Sequence, residues 1–200
     1  MKQVNKLLFM SCCLFSASFI MIQSGCSQKE ETPALSKEQM IERGRYLTTI
    51  ASCQDCHSPK IMTPNGPVVD ETRAFSGAPA DSKLPPIDTS EITPGKWYLG
   101  SSDLTTWVGP WGVSFAANLT PDKTTGSGAW TEEIFIKMLR TGKFMAADAG
   151  RPIMPPMPWE FINKMTDEDL KCVFTYLQSL PPVVNSVPAY IPPNEIAAMK

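Results

Sequence analysis

The chain contains one histidine, and that histidine directly follows two cysteines spaced three positions apart. The segment reads Cys53-Gln-Asp-Cys56-His57. Two thiols at this spacing can add to the two vinyl groups of a haem, and the imidazole that follows can then bind the iron. The segment therefore predicts one covalently attached haem c, with Cys53 and Cys56 as the attachment residues and His57 as an iron ligand.

The first 25 residues have the layout of a secretory signal. A basic start precedes the uncharged apolar run Leu7–Ile22, which is shorter than the about 20 residues of a membrane-spanning helix. The run ends in Gln23-Ser-Gly-Cys26, which is similar to the lipobox of bacterial lipoproteins. We expect a signal peptide over 1–25, a lipid on Cys26, a tether over 26–36 and a position on the periplasmic side of the cell envelope, anchored to a membrane. Simple signal cleavage and an uncleaved anchor are the alternatives.

Three other interpretations of the Cys53–His57 segment fit less well. A structural zinc site needs four ligands, and Cys172 is the only further thiol outside the N-terminal region. A thioredoxin-like dithiol is expected after a strand, whereas residues 37–51 have helical periodicity. A plain disulfide leaves His57 without a role.

The second axial ligand of the iron cannot be another histidine of this chain. A methionine, a weaker side chain, water or an open position remain. Most of the eleven methionines fall in the leader, on helical stripes or in the tail, or lie too close to His57. The candidates are Met145, Met154, Met157 and Met165. We predict Met157, because the prolines around it can present a thioether with little loss of chain entropy.

Apolar residues at helical spacing predict three helices, over 37–51, 132–141 and 167–179. Ser36, Thr131 and Thr166 are the expected N-caps, and Gly142 is expected to end the second helix. Residues 60–118 have no strong periodicity and contain many prolines. The tryptophan-containing stretches are interpreted as brief strands or a lid over a haem edge, and an ordinary packed extension is the alternative.

Several stretches in addition to the cysteine motif resemble class I cytochrome c domains, including those of bacterial lipoproteins and of the cytochrome subunits of membrane-bound dehydrogenases. They are Gly44–Leu47, Asn118–Asp122, Thr125–Glu133, Pro155–Trp159, Thr166–Leu170 and Leu180–Pro182. The resemblance covers 37–184 and implies a mainly α fold, with crossed N- and C-terminal helices around one haem and a long irregular insertion at about 60–118.

The resemblance also has implications for single residues. It assigns the axial methionine to the Pro-Met-Pro string of Met157, and it makes Gly44 a point of close helix approach. It places Trp130 and Asn118 near a haem propionate, although plain packing is an equal alternative. The proline-rich tail, 185–200, is expected to be loosely held.

A haem with two protein ligands favours an electron carrier over an enzyme. We predict an exported monohaem cytochrome without catalytic residues, whose partners are redox proteins of the cell envelope. A peroxidase-like haem enzyme or a gas sensor with a displaceable ligand is the alternative, but no second histidine is present to act as a distal acid or base. The formal net charge of −2 gives no electrostatic basis for nucleic-acid binding.

Overall fold

The computed structural model describes residues 34–196, so the expected signal peptide, Cys26 and most of the tether lie outside the described residues. Within that range the helices are α1 (Lys37–Ile50), α2 (Cys53–His57), α3 (Glu132–Thr141), α4 (Trp159–Ile162), α5 (Asp167–Ser179) and α6 (Pro193–Ile196). The strands are β1 (Lys60–Thr63), β2 (Gly66–Val69), β3 (Leu99–Gly100), β4 (Thr106–Gly109) and β5 (Gly112–Phe115). None of the helices in this part of the chain is both long and apolar enough to cross a membrane.

The three predicted helices and their caps are confirmed. Ser36 begins α1 with a capping box, in which its hydroxyl accepts from the Gln39 N–H and its own N–H donates to the Gln39 side chain. The hydroxyls of Thr131 and Thr166 cap α3 and α5 by accepting from the N–H groups of Ile134 and Asp169. Gly142 ends α3 with a φ of 65°, in the left-handed region that glycine adopts without strain.

Helices α1 and α5 pack directly against each other at Gly44. A β-carbon at this position would lie 2.0 Å from the backbone oxygen of Cys172 and 2.6 Å from the Tyr176 Cβ, so only glycine fits. The main hydrophobic core surrounds this contact. Its fully buried members are Leu47, Phe75, Phe135, Met138, Leu139, Leu170, Cys172, Val173 and Leu177. Cys172 is therefore a buried thiol of the core.

The Gly44 contact gives a stability prediction. Gly44→Ala is expected to lower the free energy of unfolding by about 2 kcal/mol, because an overpacking cost of roughly 3 kcal/mol against rigid backbone exceeds the about 1 kcal/mol of helix propensity that alanine adds. Chemical denaturation measures the difference. Thr49→Ala, at an exposed position of the same helix, is the control and should change stability by less than about 0.5 kcal/mol. Equal stability of the two variants would contradict the close contact.

Short strands are present in the segment between α2 and α3, as expected. Strands β1 and β2 form an antiparallel hairpin, and β3, β4 and β5 form a three-stranded antiparallel sheet in that order. The sheet carries a second, smaller core of Ile92, Val108, Val113 and Ile196. This sheet and its core give an otherwise irregular stretch a fixed shape.

The tail is not loosely held over the part that the structure describes, and that expectation is wrong. The Asn185 side chain donates to the backbone oxygens of Ser76 (2.7 Å) and Ala78 (2.8 Å). Ile191 pairs with Val113 of β5 through two backbone hydrogen bonds of 2.8 and 3.1 Å. The prolines that precede α6 favour an extended chain, and this chain packs along the sheet.

Candidate functional site

One large cavity of about 900 Å³ brings together the four residues predicted to hold a haem and its iron. Cys53, Cys56, His57 and Met157 all line it. Its other walls are mostly apolar and come from α1, α3, α5, the β4–β5 hairpin and the tail. A cavity of this size and polarity is typical of cofactor sites.

Helix α2 carries both cysteines and His57, and its C-terminal end is fixed by hydrogen bonds. The buried Ser58 hydroxyl accepts from the Phe75 N–H at 2.9 Å, and the His57 carbonyl accepts from the Gly77 N–H at 2.8 Å. Burial raises the pKa of the Cys53 thiol to about 11 and also raises the pKa of the Cys56 thiol. Before any haem is attached, both sulfurs are therefore protonated at neutral pH.

The His57 imidazole is oriented by one hydrogen bond. Its Nδ1 lies 2.8 Å from the backbone oxygen of Ala117, and because a carbonyl only accepts, Nδ1 must carry the proton. That tautomer leaves the lone pair of Nε2 available to a metal. Burial lowers the pKa of His57, and the hydrogen bond to Ala117 opposes this only in part, so the ring is neutral, as a metal ligand must be.

Met157 belongs to a proline-rich loop that is tied to two elements. The Ser114 hydroxyl of β5 donates to the Pro155 oxygen at 2.6 Å, and the Ile153 N–H donates to the Gly142 oxygen at 2.8 Å. The Met157 carbonyl accepts from the N–H of Trp159 at 2.9 Å. The loop is thus held in place without being part of a helix.

The other methionine candidates are placed differently. Met154 lines the same cavity, whereas Met145 and Met165 do not. Met138 of α3, interpreted as a core residue, is 6% exposed and also lines the cavity wall. The structure therefore leaves Met157 and Met154 as the candidates within the proline-rich loop.

Both residues expected near a propionate, Asn118 and Trp130, line the cavity, and the Asn118 side chain is also part of a hydrogen-bond network. Asn118 donates to the Val183 oxygen at 2.9 Å and accepts from the Thr120 hydroxyl at 2.7 Å. Its amide therefore holds the tail to the 118–120 turn, which supports the packing alternative for Asn118. Trp130 lines the cavity.

Sequence reasoning missed Arg151. Among the described residues it is the only lysine or arginine that lines the cavity, and its guanidinium lies 4.6 Å from the centre of the Phe144 ring. Arg43, Arg45, Arg73 and Arg140 each have an acidic side chain within 3.0 Å. No acidic side chain of the described chain pairs with Arg151, and desolvation lowers its pKa. The only sequence signal was its place six residues before Met157.

Comparisons with known proteins identify the family of this chain. The family model of cytochrome c matches residues 41–181. The chain belongs to the cytochrome c family. Similar proteins include the fructose dehydrogenase cytochrome subunit of Gluconobacter japonicus, 31% identical over 75% of this chain and 23% of that protein. The gluconate 2-dehydrogenase cytochrome c subunit of Pantoea cypripedii is 27% identical over 70% of this chain and 23% of its own length.

A third relative is the cytochrome c subunit of the quinone-dependent alcohol dehydrogenase of Gluconacetobacter polyoxogenes, 27% identical over 78% of this chain and 28% of that subunit. The chain thus spans about a quarter of the length of these three relatives. As a cytochrome c, it holds a covalently attached haem with iron, and its chemistry is haem-based electron transfer. The apolar cavity, its two thiols and the available Nε2 of His57 fit that cofactor.

Proposed function

We propose that the protein is an exported, lipid-anchored monohaem cytochrome that passes single electrons between redox proteins of the cell envelope. In this proposal Cys53 and Cys56 hold the haem, His57 and Met157 are the axial ligands of the iron, and Cys26 carries the lipid. The one observation on which the haem-site assignments depend is that both thiols, the imidazole and the thioether line the same apolar cavity.

The fold is proposed to be of class I, in which the first and last long helices cross. The packing of α1 on α5 at Gly44 supports this arrangement. The stretch over about 60–118 is proposed as an insertion that adds the β3–β5 sheet to one wall of the cavity. The cytochrome domain is proposed to occupy 37–184, after a signal peptide over 1–25 and a tether over 26–36.

The chain's own residues would perform three tasks for the bound haem, which itself supplies a site for one-electron oxidation and reduction. The Ala117 carbonyl would hold the His57 ring in the tautomer whose Nε2 is able to bind the iron. The apolar walls exclude water and so disfavour extra charge in the site. The proline-rich loop, which hydrogen bonds hold in place, would present the neutral thioether of Met157. A thioether ligand favours the reduced state of the iron more than a second imidazole would.

The proposed partners are dehydrogenase proteins. The relatives named above are cytochrome subunits of fructose, gluconate and alcohol dehydrogenases. We propose that this cytochrome accepts electrons from a dehydrogenase of the same broad kind, or passes electrons on from one, and is not itself the catalytic subunit. Its electron donor and acceptor would meet it on the periplasmic side of a membrane.

A redox titration and a carbon monoxide binding experiment test the proposed electron-transfer function. The purified full-length protein should show one reversible one-electron transition in its haem absorbance. The reduced protein should bind carbon monoxide only slowly, since both axial positions are proposed to be filled by the chain. Rapid binding of carbon monoxide or rapid reaction with peroxide would instead support the haem-enzyme or gas-sensor alternative.

Arg151 gives a further prediction for this site. We expect its guanidinium to bind a haem carboxylate, because arginine is suited to bind carboxylates and this one has no acidic partner among the described residues. Arg151→Met should lower the reduction potential, since it removes a positive charge that disfavours the oxidised haem. Arg151→Lys should retain most of the wild-type value.

The control is Arg45→Met, which removes the same charge from an exposed ion pair on α1. That variant should leave the reduction potential close to the wild-type value, because Arg45 does not line the cavity and its charge is already paired with Glu42. An Arg151→Met protein with the wild-type potential would contradict the role of Arg151.

A further inference from the structure

The Lys60 side chain is buried at the end of helix α2. It is 4% exposed, although lysine is almost never fully buried unless its ammonium is paired. Its Nζ donates to the backbone oxygens of Asp55, of Ser58 at 3.4 Å and of Asp103 at 2.7 Å. The Asp55 carboxylate lies 3.9 Å away and is 57% exposed. Three carbonyl groups, rather than a buried carboxylate, therefore hold this charge.

Two distant parts of the chain meet at this ammonium. Asp55 and Ser58 lie in and directly after α2, the helix that carries both attachment cysteines and is called the attachment helix below. Asp103 belongs to the turn that precedes β4. The Asp103 carboxylate accepts from the hydroxyls of Ser101 (2.6 Å) and Thr105 (2.8 Å). These bonds shape the turn and leave the Asp103 carbonyl to accept from Lys60.

The turn at Asp103 contributes to the cavity wall. Leu104 follows Asp103 with a φ of 56°, a conformation that a residue with a side chain adopts only when its surroundings impose it. Leu104 and Cys56 line the same cavity. Lys60 thus joins the helix that carries Cys56 to the turn that carries Leu104.

The charge of Lys60 also acts on the site. The Lys60 ammonium donates to the backbone oxygen of Asp55, the residue directly before Cys56, so the positive charge lies beside the second attachment residue. Charges shielded from water interact more strongly than charges at the surface. An oxidised haem carries one more positive charge than a reduced haem, so a fixed cation nearby favours the reduced form.

We propose that Lys60 is a positioning residue that fixes the Asp103–Leu104 turn to the attachment helix, and that its buried charge raises the reduction potential of the haem. This inference rests on the proposed function, because it requires that α2 carries the haem. The inference gives a role in the haem site to Lys60, a residue that neither attaches the haem nor binds the iron.

The test uses the full-length protein with its haem, as wild type, Lys60→Met and Lys96→Met. Methionine keeps the length of the lysine stem and removes its charge, and Lys96 is a half-exposed lysine paired with Glu91 at 3.5 Å. Lys60→Met should have a lower reduction potential than wild type and than Lys96→Met, and the difference should persist at high salt, because a buried charge is screened little. Amide exchange in the Leu104–Thr106 stretch should also become roughly tenfold faster, since a hydrogen bond to a charged group is lost.

Lys60→Met with full haem content, wild-type potential and unchanged exchange would overturn the inference while leaving the proposed function intact. A wild-type protein without covalent haem would overturn both. If Lys60→Met loses its haem, Lys60→Gln, which keeps two N–H donors without the charge, is held to the same criteria. Loss of haem from Lys60→Gln as well, with Lys96→Met intact, would overturn the positioning role, because the N–H donors that this variant keeps should hold the turn in place.

Discussion

A protein in which Cys53 and Cys56 are both replaced by serine will release its haem completely on denaturation. Thioether bonds to these two sulfurs are the proposed covalent links, and a serine hydroxyl does not form them. Serine is close to cysteine in size, so the expected result reflects lost attachment rather than a lost fold. Haem staining of a denaturing gel measures it. Each single variant, Cys53→Ser or Cys56→Ser, should retain haem through the remaining bond.

Cys172→Ser is the matched control for the double variant. It makes the same chemical change at a buried thiol of α5, which does not line the cavity. This control should keep its haem on the denaturing gel. Haem that remained bound to the double variant after denaturation would show that the attachment residues are wrong.

Met157→Ala will abolish the far-red charge-transfer absorption that an iron–methionine sulfur bond gives in the oxidised protein. It should also lower the reduction potential and make carbon monoxide binding rapid, because the thioether that fills one axial position is gone. Absorption spectra of the oxidised protein and the kinetics of carbon monoxide binding to the reduced protein measure these changes.

Met154→Ala is the control, since Met154 lies in the same proline-rich loop and lines the same cavity. Both truncations remove a partly buried side chain and should lower the free energy of unfolding by roughly 2 kcal/mol. Stability therefore does not distinguish them, but the absorption band does. A band retained in Met157→Ala and lost in Met154→Ala would move the axial role to Met154.

The helices could be predicted from the sequence because their signals are local. The side chains of Ser36, Thr131 and Thr166 cap N–H groups within three residues of themselves, and the apolar spacing of α3 and α5 is regular over several turns. The tight α1–α5 contact at Gly44 was inferred from a resemblance, and the backbone distances there now explain it.

The part that could not be predicted depends on contacts between residues far apart in the chain. Asn185 holds the tail through the carbonyls of Ser76 and Ala78, more than 100 positions away. A proline-rich composition favours an extended chain but does not indicate what that chain packs against. The composition alone therefore predicted a loose tail, yet the tail forms part of the cavity wall.

The charged residues around the site were missed for the same reason. Arg151 differs from the other described arginines in lining the cavity and in lacking an acidic partner among the described residues, and Lys60 differs from other lysines by the burial of its side chain. Whether a charged side chain has an acidic partner, and how deeply it is buried, are determined by the tertiary structure. The cysteine motif was different, because its spacing and the single histidine carry the chemistry within five residues.

Mass spectrometry of the purified wild-type protein tests the haem attachment most directly. The intact mass should exceed that of the processed chain by one haem, and the added mass should be found on the proteolytic peptide that contains Cys53, Cys56 and His57. A protein with no added mass, in which both cysteines react with a thiol-alkylating reagent, would contradict the proposed site.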